Sequence, residues 1–304
     1  MPEGLVVRVD SRAVLVDFEG VLVKCVRRGR LFEEKRPGEK TPVVVGDLVE
    51  FTREATGGGA IEAVAPRRSR LSRPAAHRPG VEHVLAANVD QVLLVVAAKK
   101  PEPRTGLVDR MSVAASMSGV PLVLAVNKSD LATREEIDAR FALYEDLGVP
   151  VVKTSAATGR GLDGLRAVLS GKTTVLCGPS GVGKTSLLNA IHPAFSQRVA
   201  EVSEATGKGR HTTTAAVLVA VEGLGRLIDT PGIREFGLWD VSARDLTGAF
   251  PEFARVEPPC RFRDCRHSVE PGCSVKAAVE AGTVSRARHA SYLRILASLE
   301  TGGG

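Results

Sequence analysis

The stretch Gly178-Pro-Ser-Gly-Val-Gly-Lys-Thr185 follows the pattern G-x-x-x-x-G-K-T without a gap. That pattern does one kind of chemistry: it wraps backbone N–H groups around phosphate oxygens. Gly178, Gly181 and Gly183 have no side chain to hold the backbone away from an anion. In such loops the lysine, here Lys184, reaches the β- and γ-phosphates, and the hydroxyl that follows, here Thr185, ligates Mg2+. Pro179, Ser180 and Val182 complete the loop, and Ser186 continues it into a helix whose N-terminus adds partial positive charge.

Asn127-Lys-Ser-Asp130 follows N-K-x-D. A carboxylate at Asp130 accepts hydrogen bonds from the N1–H and the exocyclic amine of guanine. Adenine lacks both donors in that arrangement, so an ATP-using reading is disfavoured. Asn127 would brace the loops, the Lys128 stem would lie over the base, and Ser129 completes the tetrapeptide. Ser155-Ala156 would add a backbone N–H for the guanine oxygen. Asp229-Thr-Pro-Gly232 follows D-x-x-G. Asp229 would hold Mg2+ through water, and the Gly232 N–H would sense a γ-phosphate whose loss releases the segment. Thr212 or Thr213 would give Mg2+ a second hydroxyl. The expected ligands are therefore GTP, GDP and Mg2+. Ile233 stands where many GTPases carry a glutamine that orients the attacking water. Isoleucine cannot do so, and slow intrinsic hydrolysis is expected. His211 is a candidate for positioning that water; a partner-supplied group and a merely exposed loop histidine are the competing readings.

A second constellation is Cys260-x4-Cys265-x-His267-x5-Cys273. Three thiolates and one imidazole make a four-coordinate set of the structural zinc kind, with no open position for catalysis. A small, loop-rich segment also needs such a staple. Arg261, Arg263 and Arg266 surround the cluster as a basic collar. Cys25 and Cys177 read as core residues.

These residues need elements to hold them. Val92 to Val96 and Val120 to Val126 are continuous apolar runs, the mark of strands buried on both faces of a parallel sheet. Thr173 to Cys177 leads into the glycine loop in the same way, Val149 to Val152 leads toward Ser155, and Gly225 to Ile228 delivers Asp229. Helices are expected over 108–117, 135–147, 186–191 and 284–299. Alternating strands and helices mean an α/β doubly wound sheet, with ligands at the carboxyl ends of the strands. Residues 1–70 differ, showing five short strands with turn signals between them, including a run at Val43 to Val45. A small β-barrel of the OB type is expected there. Such barrels often bind nucleic acid, although aromatic residues are scarce (Phe18, Phe32, Phe51). Residues 66–80 carry five arginines and three prolines and read as a connector, or as a phosphate-holding run. Ser196 to Thr214 shows no clear periodicity. The expected units are a barrel over 1–70, a nucleotide domain over 81–237 and a mostly helical zinc-binding domain over 238–304.

Composition narrows the classes. The chain has 304 residues, 43% apolar and 25% charged, with net charge +6 and a pI near 9.2, so an anionic partner fits. No apolar run is long enough to span a bilayer. The N-terminal residues lack a secretory pattern, and an odd number of cysteines argues against a disulfide framework. A cytosolic monomer is expected.

The order of the motifs is unusual. N-K-x-D and Ser155-Ala156 precede the glycine loop, whereas in most GTPases they follow it. The sequence is circularly permuted, and D-x-x-G leads directly into the zinc-binding segment. With that order, Gly209-Arg-His-Thr-Thr213 and the spacing of the four metal ligands, the chain resembles the circularly permuted GTPases that act in late assembly of the small ribosomal subunit. The resemblance covers nearly the whole chain. It implies an OB-type barrel, GTP hydrolysis stimulated by the small subunit, and contact of both flanking domains with ribosomal RNA. The alternative is an RNA-binding factor for which guanine nucleotide is mainly a conformational ligand.

Overall fold

The computed structural model describes all residues except 12, 30, 32–40, 55–56, 76–80, 205–215, 230–237, 239–240 and 301–304, and except the side chains at 203 and 204. Five N-terminal strands, β1 (Glu3–Val9), β2 (Val14–Phe18), β3 (Val21–Arg27), β4 (Leu48–Arg53) and β5 (Gly59–Val64), pair in the order β1-β2-β3-β5-β4. The ladder closes where β4 returns to β1. Only β3 and β5 run parallel within it. This is the expected OB-type barrel. Its core is built by alternate residues, among them Val6, Val14, Val23, Phe51 and Ile61. Val43 to Val45 forms no strand of its own; Val45 makes one isolated bridge to Ala86.

Residues 66–75 of the connector are more ordered than their composition implies. Strand β6 (Arg70–Pro74) pairs antiparallel with β7 (Glu82–Ala87). Three of the five arginines face acids of the same chain. Arg67 grips the fully buried Asp47 at 2.7 and 2.9 Å, Arg68 reaches Asp90 at 3.2 Å, and Arg70 reaches Glu82 at 3.3 Å. Arg67 ties the connector to the barrel, Arg68 ties it to the start of the nucleotide domain and Arg70 braces the β6–β7 hairpin, which leaves them poorly placed to hold phosphate.

The nucleotide domain contains β8 (Gln91–Ala97), α1 (Thr105–Met117), β9 (Leu122–Asn127), α2 (Arg134–Asp146), β10 (Val151–Lys153), α3 (Leu162–Leu169), β11 (Lys172–Cys177), α4 (Lys184–Ile191), α5 (Phe195–Glu204), β12 (Val217–Val221) and β13 (Gly225–Asp229). Strand order is β10-β9-β8-β11-β13-β12, parallel except for β12. All seven residues of β8 are buried, because helices cover both faces. Val92, Leu94 and Val96 point into the α1 and α2 layer, while Leu93, Val95 and Ala97 point into the α3, α4 and α5 layer. Helix α3 was not expected from the sequence. Helix α5 takes up the first part of the expected aperiodic stretch, since Phe195, Val199 and Val202 turn one face of an otherwise polar segment to the core; 205–214 lie outside the described residues. Only Ser170 and Gly171 join α3 to β11. Arg8 in β1 pairs with Val217 in β12, so barrel and nucleotide sheet form one ladder.

The chain closes with α6 (Ala243–Gly248), α7 (Pro251–Ala254), α8 (Ser274–Glu280) and α9 (Arg286–Glu300). Ser242 caps α6 in a reciprocal box with Asp245, the arrangement that satisfies two orphan N–H groups at once.

Candidate nucleotide site and metal cluster

The carboxyl ends of β8, β9, β10, β11 and β13 share one edge of the sheet, because these strands are parallel. β11 is central and empties into the glycine loop. Gly178 has φ +138°, and a Cβ there would lie 2.1 Å from the Val95 carbonyl oxygen. Gly183, with φ +87°, starts α4, and a Cβ there would lie 2.6 Å from Asn127 Nδ2. No side chain fits at either place, so the backbone itself lines the cradle. Lys184 Nζ donates to the carbonyls of Gly178 and Pro179 at 2.7 and 2.8 Å, which keeps its charge at the mouth of the loop. Thr185 and Ser186 are exposed in the first turn of α4. The register pairs Leu176 with Asp229, placing Asp229 beside the strand end that feeds the loop.

Asn127 ends β9 and is 1% exposed. Its Nδ2 donates to the Val182 carbonyl at 2.9 Å, and its Oδ1 accepts from the Ala156 N–H at 3.2 Å. One buried amide thus ties three sequence motifs together: N-K-x-D, the glycine loop and Ser155-Ala156. Lys128 takes a left-handed conformation (φ +57°). Its ammonium bonds the Gly181 carbonyl at 2.6 Å and also the Lys100 carbonyl. Ser129 is buried and donates its N–H to Thr154 O at 3.0 Å. Asp130 is exposed, and its Oδ1 accepts from the Ser155 hydroxyl at 2.5 Å. That bond aims the carboxylate while leaving Oδ2 available for a base. The bracing by Lys100 and Thr154 had no sequence signal, since both act through main-chain oxygens. His211, Thr212, Thr213, Gly232 and Ile233 lie outside the described residues.

The four expected metal ligands converge. The ligand atoms of Cys260, Cys265, His267 and Cys273 lie within 4.8 Å of one another. His267 Nδ1 stands 3.6 Å from Cys260 Sγ and 3.5 Å from Cys273 Sγ, and the two sulfurs are 3.9 Å apart. A tetrahedral zinc ion needs S–S edges of about 3.8 Å and S–N edges of about 3.6 Å, given its usual bond lengths. The donor set and its spacing are therefore compatible with zinc. Burial pushes the Cys265 thiol up to about 12. Burial also opposes ionisation of Cys260, but the Val275 and Ser274 N–H groups outweigh it and lower that thiol. Desolvation lowers His267 and favours the neutral imidazole that a metal requires. Glu270 holds the knuckle by accepting from the N–H groups of Arg266 and Ser268, both at 2.9 Å. Arg261 lies over the Phe262 ring, 5.5 Å from its centroid. Arg266 is turned toward Glu300, so the expected collar is partly neutralised. Cys25 and Cys177 are buried, as read from the sequence.

A nucleotide sheet whose base-reading strands β9 and β10 come before its phosphate-binding strand β11 is that of a circularly permuted GTPase. The same arrangement is found in solved structures. YjeQ from Thermotoga maritima superposes with a TM-score of 0.75 over 98% of both chains, at 36% identity. YloQ, described as a circularly permuted GTPase, superposes with a TM-score of 0.72 over 99% of this chain and 96% of its own, at 29% identity. The chain belongs to the RsgA GTPase family, whose model matches residues 64–239. It is 44% identical over 270 residues to the small ribosomal subunit biogenesis GTPase RsgA of Gemmatimonas aurantiaca, covering 88% of this chain and 87% of that one. With its counterpart from Azotobacter vinelandii it shares 43% identity over 296 residues, covering 96% and 83%. The protein is accordingly a GTP-hydrolysing enzyme.

Proposed function

We propose that the protein binds the small ribosomal subunit and its RNA, and assists late maturation of that particle. GTP hydrolysis is stimulated by the subunit and coupled to release. The observation that carries this reading is the extent of the match: the Azotobacter relative aligns over 96% of the chain, so barrel and cysteine cluster are matched along with the GTPase. The chain works as three units, 1–70, 81–237 and 238–304, in the cytoplasm and as a monomer. The loop 178–186 and Asp229 hold the phosphates and Mg2+, with Thr212, Thr213 and Gly232 sensing the γ-phosphate. Mg2+, when bound, neutralises charge developing on the phosphates. Asn127 to Asp130 and Ser155-Ala156 hold guanine. The three thiols and His267 hold one structural zinc ion. Arg261, Arg263 and the exposed Phe262 offer cation and ring to an RNA strand. His211 is the candidate for orienting water. Ile233 favours a second reading, in which the nucleotide sets conformation and little is hydrolysed. GTP turnover measured with and without purified small subunits separates the two. The first expects clear stimulation; equal turnover, with equal subunit affinity for the GDP and GTP-analogue forms, sinks it.

A further inference from the structure

Arg288 on α9 is 3% exposed. Its Nε and Nη2 hold both oxygens of Glu252 at 2.7 and 3.2 Å, and Nη1 donates to Asp109 Oδ1 at 2.8 Å. The Phe250 ring centroid lies 4.3 Å from the guanidinium carbon. Asp109 belongs to α1 and is 2% exposed. The same carboxylate oxygen lies 2.8 Å from the Tyr144 hydroxyl of α2. One guanidinium therefore joins α7 and α9 of the C-terminal domain to α1 and α2 of the GTPase. Charges this deep are held only when each has its partner. The packing around them is continuous: Phe250, Tyr292 and Ile295 share a core with Val108, Met111 and Phe141.

The helices gripped in this way serve the base-reading edge. The segment between β8 and α1 supplies the Lys100 carbonyl that bonds Lys128. Thr133, three residues past Asp130, caps α2 in a reciprocal box with Glu136. The polypeptide itself joins the two domains between Asp229 and α6, and α6 is tied to α9 by Thr247 and Tyr292, whose hydroxyls are 3.1 Å apart.

We infer that Arg288 is a positioning residue for subunit-stimulated GTP hydrolysis. Its clamp makes the metal-binding domain and the base-reading helices one rigid body. Helix α6 is thereby held to the same body through its bond to α9. The metal-binding domain accordingly stays seated on α1 in both nucleotide states. This rests on the functional reading above.

The test locks the clamp and then loosens it, in the full-length chain. A Cβ on Gly106 would lie 3.3 Å from Arg294 Nη2 and 3.7 Å from Ser291 Oγ, so α1 and α9 approach closely here, and thiol titration shows that the cross-link has formed. The double variant Gly106→Cys, Ser291→Cys is assayed oxidised and reduced, with zinc content and oxidant-treated wild type as controls. Subunit-stimulated turnover of the oxidised form is expected within about twofold of the reduced form. A loss of about tenfold or more on oxidation, recovered on reduction, overturns the inference. Asp109→Asn loosens the clamp with little change of shape. Its intrinsic turnover and GDP affinity are expected near wild type, with stimulation lowered about tenfold. Wild-type stimulation in both Asp109→Asn and Arg288→Met overturns the inference. Hydrogen exchange over α9 is expected to be equal with GDP and with a non-hydrolysable GTP analogue. Loss of protection in one nucleotide state overturns the clamp whether or not subunits stimulate the wild type, whereas an unstimulated wild type refutes the functional reading alone.

Discussion

Asn127→Ala tests whether one amide organises the nucleotide site. The side chain is 1% exposed and bonds the Val182 carbonyl at 2.9 Å and the Ala156 N–H at 3.2 Å. Alanine leaves both groups without that partner. A buried group left unsatisfied costs about 1–3 kcal/mol. Ala156 is half-buried, so water recovers part of its share, and the total is about 3 kcal/mol. The glycine loop and the Ser155 loop are free to relax when no nucleotide is bound. Most of the loss should then appear on binding, when both loops must be placed together. About 3 kcal/mol corresponds to roughly a 150-fold rise in the Kd for GDP. The assay is titration with a fluorescent GDP analogue, alongside thermal melting of the free protein. Thr154→Val is the control: its hydroxyl is 3.5 Å from Asn127 Oδ1, at the limit of a hydrogen bond, and a shift below about threefold is expected. An Asn127→Ala protein that binds GDP within about threefold of wild type and melts at the same temperature would refute the reasoning.

Asp130→Asn should abolish the preference for guanine, seen as at least about a hundredfold loss of GTP affinity with little change in melting, since the buried carboxylate partners elsewhere are untouched; retained preference would refute the base assignment. Cys273→Ser should bring the bound zinc per chain from one to near zero by elemental analysis and loosen 255–300 in hydrogen exchange, while GDP still binds, because no described residue of that domain lines the glycine loop. Arg67→Met removes the guanidinium from the buried Asp47 carboxylate and should lower stability by about 3–5 kcal/mol in urea unfolding; a change below about 1 kcal/mol would mean the pair is not the joint described. Subunit affinity should fall steeply and log-linearly with salt as lysine and arginine release counterions from phosphates, and a flat response would count against RNA contact.

The glycine loop, N-K-x-D and the cysteine spacing were legible because each is a local pattern whose chemistry follows from a few adjacent residues. The strands beside them were legible because burial on both faces forces unbroken apolar runs, as at Val92 to Val96. What could not be read was pairing at a distance. Arg288 and Asp109 are 179 positions apart, and nothing in either neighbourhood marks a charged residue for burial. The same holds for Arg67, which looks like a phosphate contact until Asp47 is seen beneath it. Helix α5 escaped for another reason: three apolar residues on one face are enough when β12 supplies the other half of the core, yet too few to show a period. The assignment of Thr212, Thr213 and Gly232 rests on sequence alone.

The join between α3 and β11 is two residues long. It fuses the places where an unpermuted domain of this kind would begin and end. Closing so short a gap costs little chain entropy, which is why the order of the motifs can change while the sheet does not. The cut has moved instead to the gap between β13 and β8, so the chain enters the domain at β8 and leaves it after β13. The barrel consequently joins the domain through β8 and packs against β12, and the metal-binding domain follows β13, the strand that carries Asp229. A domain with the usual chain order would hang its neighbours from the start of β11 and the end of α3, at the opposite edge of the sheet from the glycine loop. Permutation is a change of wiring: the same sheet, with one of its leads brought out beside Asp229.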